Sequence, residues 1–125
     1  KLKNGGIVSI KSMNHAASFV RVELVASADP SNTSSTMNLV VVLFENGVTT
    51  AIRRGENSGR TLRNDHIVRW TSQPLPLDRK TGGTQSKIEI PINPGWHPQH
   101  LGVAAFIQDS RTLEIFAAAV RNPER

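Results

Sequence analysis

The stretch Met37 to Phe44, Met-Asn-Leu-Val-Val-Val-Leu-Phe, is apolar on both faces of an extended chain. A strand with two apolar faces needs cover on both sides, so this one is expected at the centre of a sheet. The other apolar stretches are equally short. Val and Ile together number 20 against 9 Leu, and β-branched side chains suit a pleated surface better than a helix.

The neighbouring stretches carry the two-residue period of half-buried strands. In Ser18–Ser27, Val20, Val22 and Leu24 face one way while Arg21 and Glu23 face the other. Ile7–Ser12 alternates more weakly. In Lys87–Ile92 three isoleucines share one face, and Pro91, which cannot donate to a ladder, marks an edge strand or a strand end. Asn46-Gly47 stands between Met37–Phe44 and the alternating Val48–Arg53, and this dipeptide predicts a β-hairpin joining the two. Asp65–Ser72 reads as a strand ended by Pro74 and Pro76, with Trp70 and Val68 on its inner face. Leu101–Gln108 and Leu113–Val120 read as a last hairpin across Asp109-Ser110-Arg111-Thr112. The polar stretches 29–35, 54–64 and 78–86 read as loops. No amphipathic helix separates the strands. Seven or eight strands with frequent turn signals predict an all-β fold, an antiparallel β-sandwich of jelly-roll or immunoglobulin-like type.

Length and composition agree. A chain of 125 residues suits one domain, and Leu, Ile, Val and Phe make up 33 of them, enough for a packed core. No apolar run approaches the ~18 residues of a membrane-spanning helix. The absence of cysteine excludes disulfides, thiol catalysis and thiolate metal sites within the chain. The start, Lys1-Leu2-Lys3-Asn4-Gly5-Gly6, reads as a linker entering a first strand, and 121–125 as a terminus. Residues 1–125 are therefore expected to be one domain, the C-terminal part of a longer protein.

The densest chemistry lies between residues 53 and 69. Arg53, Arg54, Arg60, Arg63 and Arg69 stand there with Glu56, Asp65, Gly55 and Gly59. Guanidinium forks and glycine-rich amides can cradle a small anion. The same residues can equally form a self-paired loop in which Glu56 and Asp65 neutralise the arginines. His97-Pro98-Gln99-His100 sets two histidines three apart, but no carboxylate or cysteine adjoins them, so they read as loop histidines and no metal ligand is assigned. No nucleophile elbow or paired-carboxylate spacing appears, so no catalytic residue and no cofactor is assigned, and the chain is expected not to be an enzyme. The net charge of +5 permits contact with nucleic acid, but aromatic residues make up only 5% and all four Phe lie in apolar runs, which argues against it. Trp96, in a Pro/Gly-rich connector, is expected to cover a sheet edge or to face a partner.

The run Gly55-Glu56-Asn57-Ser58-Gly59-Arg60-Thr61-Leu62, followed by Ile67-Val68-Arg69, resembles a bacterial secreted, thioredoxin-like family, "domain of unknown function 1223". Val103-Ala104-Ala105-Phe106-Ile107-Gln108-Asp109 resembles a late strand of that family, and the likeness covers about residues 37–120. Ser58 and Asn64 depart from its pattern. The resemblance implies a C-terminal β-sandwich accessory domain, following a thioredoxin-like domain in the same exported or periplasmic polypeptide. The family's cysteine motif has no counterpart here, so no redox role passes to any residue of this chain.

Overall fold

The alternation of Val20, Val22, Leu24 and Ala26 is realised as a strand whose inward residues are buried and whose Arg21 and Ser27 face solvent. Around it the computed structural model describes residues 6–32, 34–51, 55, 59, 61–78 and 83–123. These residues form ten strands: β1 (Gly6–His15), β2 (Phe19–Ala28), β3 (Met37–Glu45), β4 (Val48–Ala51), β5 (Thr61–Asn64), β6 (Ile67–Thr71), β7 (Leu75–Pro76), β8 (Gly83–Pro91), β9 (Leu101–Asp109) and β10 (Ile115–Arg121). A 3-10 turn, Pro98–His100, precedes β9. The fold is all-β and antiparallel, arranged as a sandwich, with β5 and β7 added to the strands legible in the sequence.

One layer has the order β1-β2-β8, and the other β10-β9-β3-β6 with β7 also paired to β3. The doubly apolar β3 is flanked by β9 and β6, as its sequence requires. The core lies between the layers: Val20, Val22, Leu24 and Ile90 from one meet Leu39, Val41, Leu43, Val103, Ala105 and Ile107 from the other. β8 is an edge strand, with Ile90 fully buried and Ile88 and Ile92 packed against the core. β9 and β10 form the expected final hairpin. Gly102 of β9 is where the Phe44 ring crosses the backbone; a Cβ there would overlap that ring and lie 2.8 Å from the Arg121 carbonyl.

The strand read from Lys87 starts earlier, at Gly83, within the stretch 78–86 read as a loop, because Gly83–Ser86 pair with β2. Two further expectations change. Asn46-Gly47 does turn the chain, with Gly47 in the left-handed region at φ 68°, but it does not join a hairpin. β4 pairs with β5 in a separate two-stranded ribbon, because both edges of β3 are already occupied by β9 and β6. The turn is held from outside instead. The Asn46 N–H donates to the His100 carbonyl at 3.0 Å, the Gly47 N–H to Asp65 Oδ1 at 2.8 Å, and Asn46 Oδ1 accepts the His66 N–H at 2.8 Å. The second change concerns β6. Its register against β3 slips between Leu43 and Phe44, so that Trp70 faces Leu43, Val68 faces Phe44, and Arg69 is the extra residue of a bulge. Val68 is consequently exposed, while Trp70 packs against the core, and the two do not share an inner face.

Candidate functional site

Three segments distant in sequence meet at the end of the sandwich where β3 finishes and β9 begins. Glu45, the last residue of β3, faces inward and is 1% exposed. A carboxylate in that position must be hydrogen-bonded or it destabilises the fold. Both of its oxygens are engaged. Arg69 Nε donates to Oε1 at 3.0 Å, and the β6 bulge is what turns Arg69 towards it. His97 donates to Oε2 twice, from its backbone N–H at 3.2 Å and from ring Nδ1 at 3.0 Å. Burial pushes the Glu45 carboxyl up. That effect is outweighed by the His97 ring hydrogen bond, then by the Arg69 hydrogen bond, the His97 amide and the Arg69 charge, so its pKa falls below the ordinary glutamate value.

The 3-10 turn presents the histidines. Pro98 pre-sets its first residue, and the His100 N–H closes it on the His97 carbonyl at 2.9 Å. His15, at the end of β1, places Nε2 2.9 Å from the Pro98 carbonyl, so the turn is tied to the opposite layer as well. The His97 and His100 rings stack at 5.3 Å between centroids and 29° between planes. Glu45, His97 and His100 each offer a ligand-type atom, and these atoms all lie within 4.8 Å of one another. His66 completes the surroundings: its backbone is left-handed at φ 58°, and its ring tilts against Phe44 at 5.0 Å.

The arginine-rich segment is partly visible. Arg53, Arg54, Glu56 and Arg60 lie outside the described residues. Arg63 is close to Asp65, at 3.4 Å, as an exposed pair of small energetic worth. The shorter bond of Asp65 is to Gly47, so its principal contact steadies the turn. Arg69 is drawn away from the loop to Glu45, and its guanidinium lies 5.9 Å from the centroid of the Trp96 ring. Trp96 is half-buried and packs partly against the core. The structure thus brings Arg69, Trp96, His97, His100 and Glu45 together, with Arg63 and Asp65 on the flank. Glu45 carries no local signal in the sequence beyond being a charged residue at the end of a buried strand. It stands 24 residues before Arg69 and 52 before His97.

A second buried carboxylate, Asp109, closes the other end of the β3–β9 pair, opposite Met37. It accepts from Thr36 Oγ1 at 2.7 Å, Ser34 Oγ at 2.8 Å and the N–H groups of Arg111 and Thr112 at 2.8 and 3.2 Å. The Thr36 and Ser34 hydroxyls, then the Arg111 amide, hold its carboxyl far below the usual aspartate range. On the side where edge strands β1 and β10 approach each other, a cleft of about 620 Å³ is lined by Ile7, Val8, Ala28, Phe116 and Ala117 among others, with Ile7 70% exposed.

Residues 3–108 match the model of the family described as "Protein of unknown function (DUF1223)". The chain belongs to this family. The DUF1223 match runs through the arginine-rich segment, His97, His100 and β9 as far as Gln108, and therefore contains every side chain of the Glu45 cluster. No curated protein matches the chain in sequence. Among solved structures, HBP35 of Porphyromonas gingivalis superposes with a TM-score of 0.71 at 13% identity, over 96% of this chain and 41% of that one. This DUF1223 chain thus spans less than half the length of HBP35, and the likeness concerns the fold. A β-glucosidase from Kluyveromyces marxianus aligns over 98% of this chain and 15% of its own, at 9% identity and a TM-score of 0.41, too loose to support an argument.

Proposed function

We propose that this DUF1223 chain is a non-catalytic β-sandwich module, an accessory or interaction domain beside a thioredoxin-like domain of the same exported polypeptide. The observation that carries the reading is the cleft between β1 and β10. Ile7, Val8, Ala28, Phe116 and Ala117 line it beside Ser27, Asp29 and Pro30, Ile7 stands exposed at its border, and neither Glu45 nor Asp109 is among its lining residues. A partly apolar groove at the meeting of two sheet edges suits a packed protein surface. That the same fold makes up 41% of HBP35 supports its use as one module of a longer chain. The thioredoxin-like neighbour and the exported location rest on the family resemblance.

The other reading of the sequence, a small anion or carbohydrate-type ligand at the arginine-rich loop, gains no support from the described members. Arg63 and Arg69 already face Asp65 and Glu45. Hydrogen exchange measured on the native full-length polypeptide and on the isolated 125-residue chain tests the module. Slower exchange along Gly6–Val8 and Phe116–Ala118 in the longer polypeptide is the expected result. Equal exchange in both, or a native polypeptide consisting of this chain alone, overturns the proposal.

A further inference from the structure

We propose that Glu45, His97 and His100 form a binding site for a divalent transition metal of the zinc class. The donor set is one carboxylate and two imidazoles, whose ligand-type atoms lie within 4.8 Å of one another. Bonds of about 2.0–2.1 Å to a tetrahedral zinc place neighbouring ligand atoms about 3.3 Å apart. His97 Nδ1 and Glu45 Oε2, at 3.0 Å, are already near that separation. The metal takes the place of the proton that these two atoms share. The His97 backbone N–H keeps its own bond to Oε2, so the His97 backbone stays where it is while the ring changes partner.

Arg69 does not block the site, because it binds the other carboxylate oxygen, Oε1. A ligating carboxylate whose second oxygen is held by a hydrogen-bond donor is oriented for one-point coordination. The remaining ligand is His100. His100 is exposed and stacked on His97, and a change of side-chain torsion closes the gap without moving the backbone, which its carbonyl anchors to Asn46. Two protein imidazoles and one carboxylate leave a fourth position for water or an external ligand. Imidazole donors favour zinc, copper and nickel over calcium and magnesium. The net charge of +5 repels cations in general, so capture at this end has to come from the ligands themselves.

The sequence conceals the site because its carboxylate lies 52 residues before the first histidine. Nothing in the proposal depends on a neighbouring domain, so it stands or falls apart from the module reading.

The test is zinc titration of the full 125-residue chain, free of any affinity tag, by calorimetry. Quenching of Trp96 and Trp70 fluorescence by copper is read in parallel. One equivalent of zinc is expected to bind, with no binding of calcium or magnesium. The His100→Gln variant is expected to lose at least about tenfold in zinc affinity while keeping the wild-type circular dichroism spectrum. Because position 100 is exposed, this variant separates ligand loss from misfolding; His97→Gln should lose as much or more. Failure of the wild type to bind zinc, or an affinity unchanged in His100→Gln, overturns the proposal. So does an affinity that falls in His15→Gln or His66→Gln but not in His100→Gln.

Discussion

Glu45 and Asp109 stand at opposite ends of the same pair of strands, and both are buried acids, yet they are held by different chemistry. Asp109 accepts from two hydroxyls and two backbone amides, all neutral donors. Two of these come from the tight turn that follows it and two from the segment entering β3. It acts as a cap for the β9–β10 connection. Glu45 accepts from a guanidinium and an imidazole, both reaching it from other segments, and the imidazole is 65% exposed. One end of the β3–β9 pair is closed by neutral hydroxyl and amide donors from the adjoining segments. The other is closed by a charged guanidinium and by an imidazole, a side chain of metal-ligand type. A buried carboxylate is therefore not by itself a sign of function; what distinguishes the two is whether the partners can do anything else.

The sharpest way to break this contrast is to remove the cap. Asp109→Ala leaves two hydroxyls and two amides without their acceptor. In thermal unfolding it is expected to lower Tm more than any substitution at the Glu45 end. Its pH dependence has a definite sign. The folded carboxyl lies below its ordinary value of 3.8, so its contribution is complete above that pH and is lost as the pH falls through the folded value. Asp109→Asn should accordingly flatten the loss of stability below pH 3.8 relative to wild type.

Glu45→Gln comes next. It keeps one acceptor oxygen but places an NH₂ against a donor, either Arg69 or His97. We expect a cost of about 1–3 kcal/mol by denaturant unfolding, because both partners can turn partly to water. Gly47→Ala sharpens the comparison at the backbone. The turn beside Glu45 requires a left-handed residue, and alanine there should cost about 1–2 kcal/mol, with thermal unfolding as the check. Arg63→Ala is expected to cost less than about 1 kcal/mol, because its pair with Asp65 is exposed and long. A larger effect there would show that the flanking charges, and not Glu45 alone, hold this end together.

Much of the fold is legible in the sequence because it depends on short-range periodicity. The alternation of β2, the doubly apolar β3, the proline-ended edge strand β8 and the last hairpin all follow from side-chain spacing within about ten residues. Asn46-Gly47 specifies a turn but not the hairpin that such a dipeptide predicts. Turn chemistry sets backbone dihedrals, whereas strand pairing depends on which edges are vacant, and here they are not. Val68 and Trp70 depart from a shared inner face for a related reason. A bulge at Arg69 changes the side-chain phase, and it arises from registering β6 against β3, not from the residues of β6 alone.

Of the candidate site, the sequence marks Arg63, Asp65, Arg69 and Trp96, and shows the two histidines without a third ligand. It determines, by itself, most of the strands, the inward faces of β2, β3 and β8, and the presence of cationic and imidazole groups in two segments. Periodicity and residue type act locally, so one chain segment suffices to read them. Tertiary structure alone decided that Glu45 is their common partner. Charge pairing in a buried place depends on which ends of which strands come together: the β3–β6 register brought residue 69 to residue 45, and the turn entering β9 brought residue 97, across intervals that no local pattern spans.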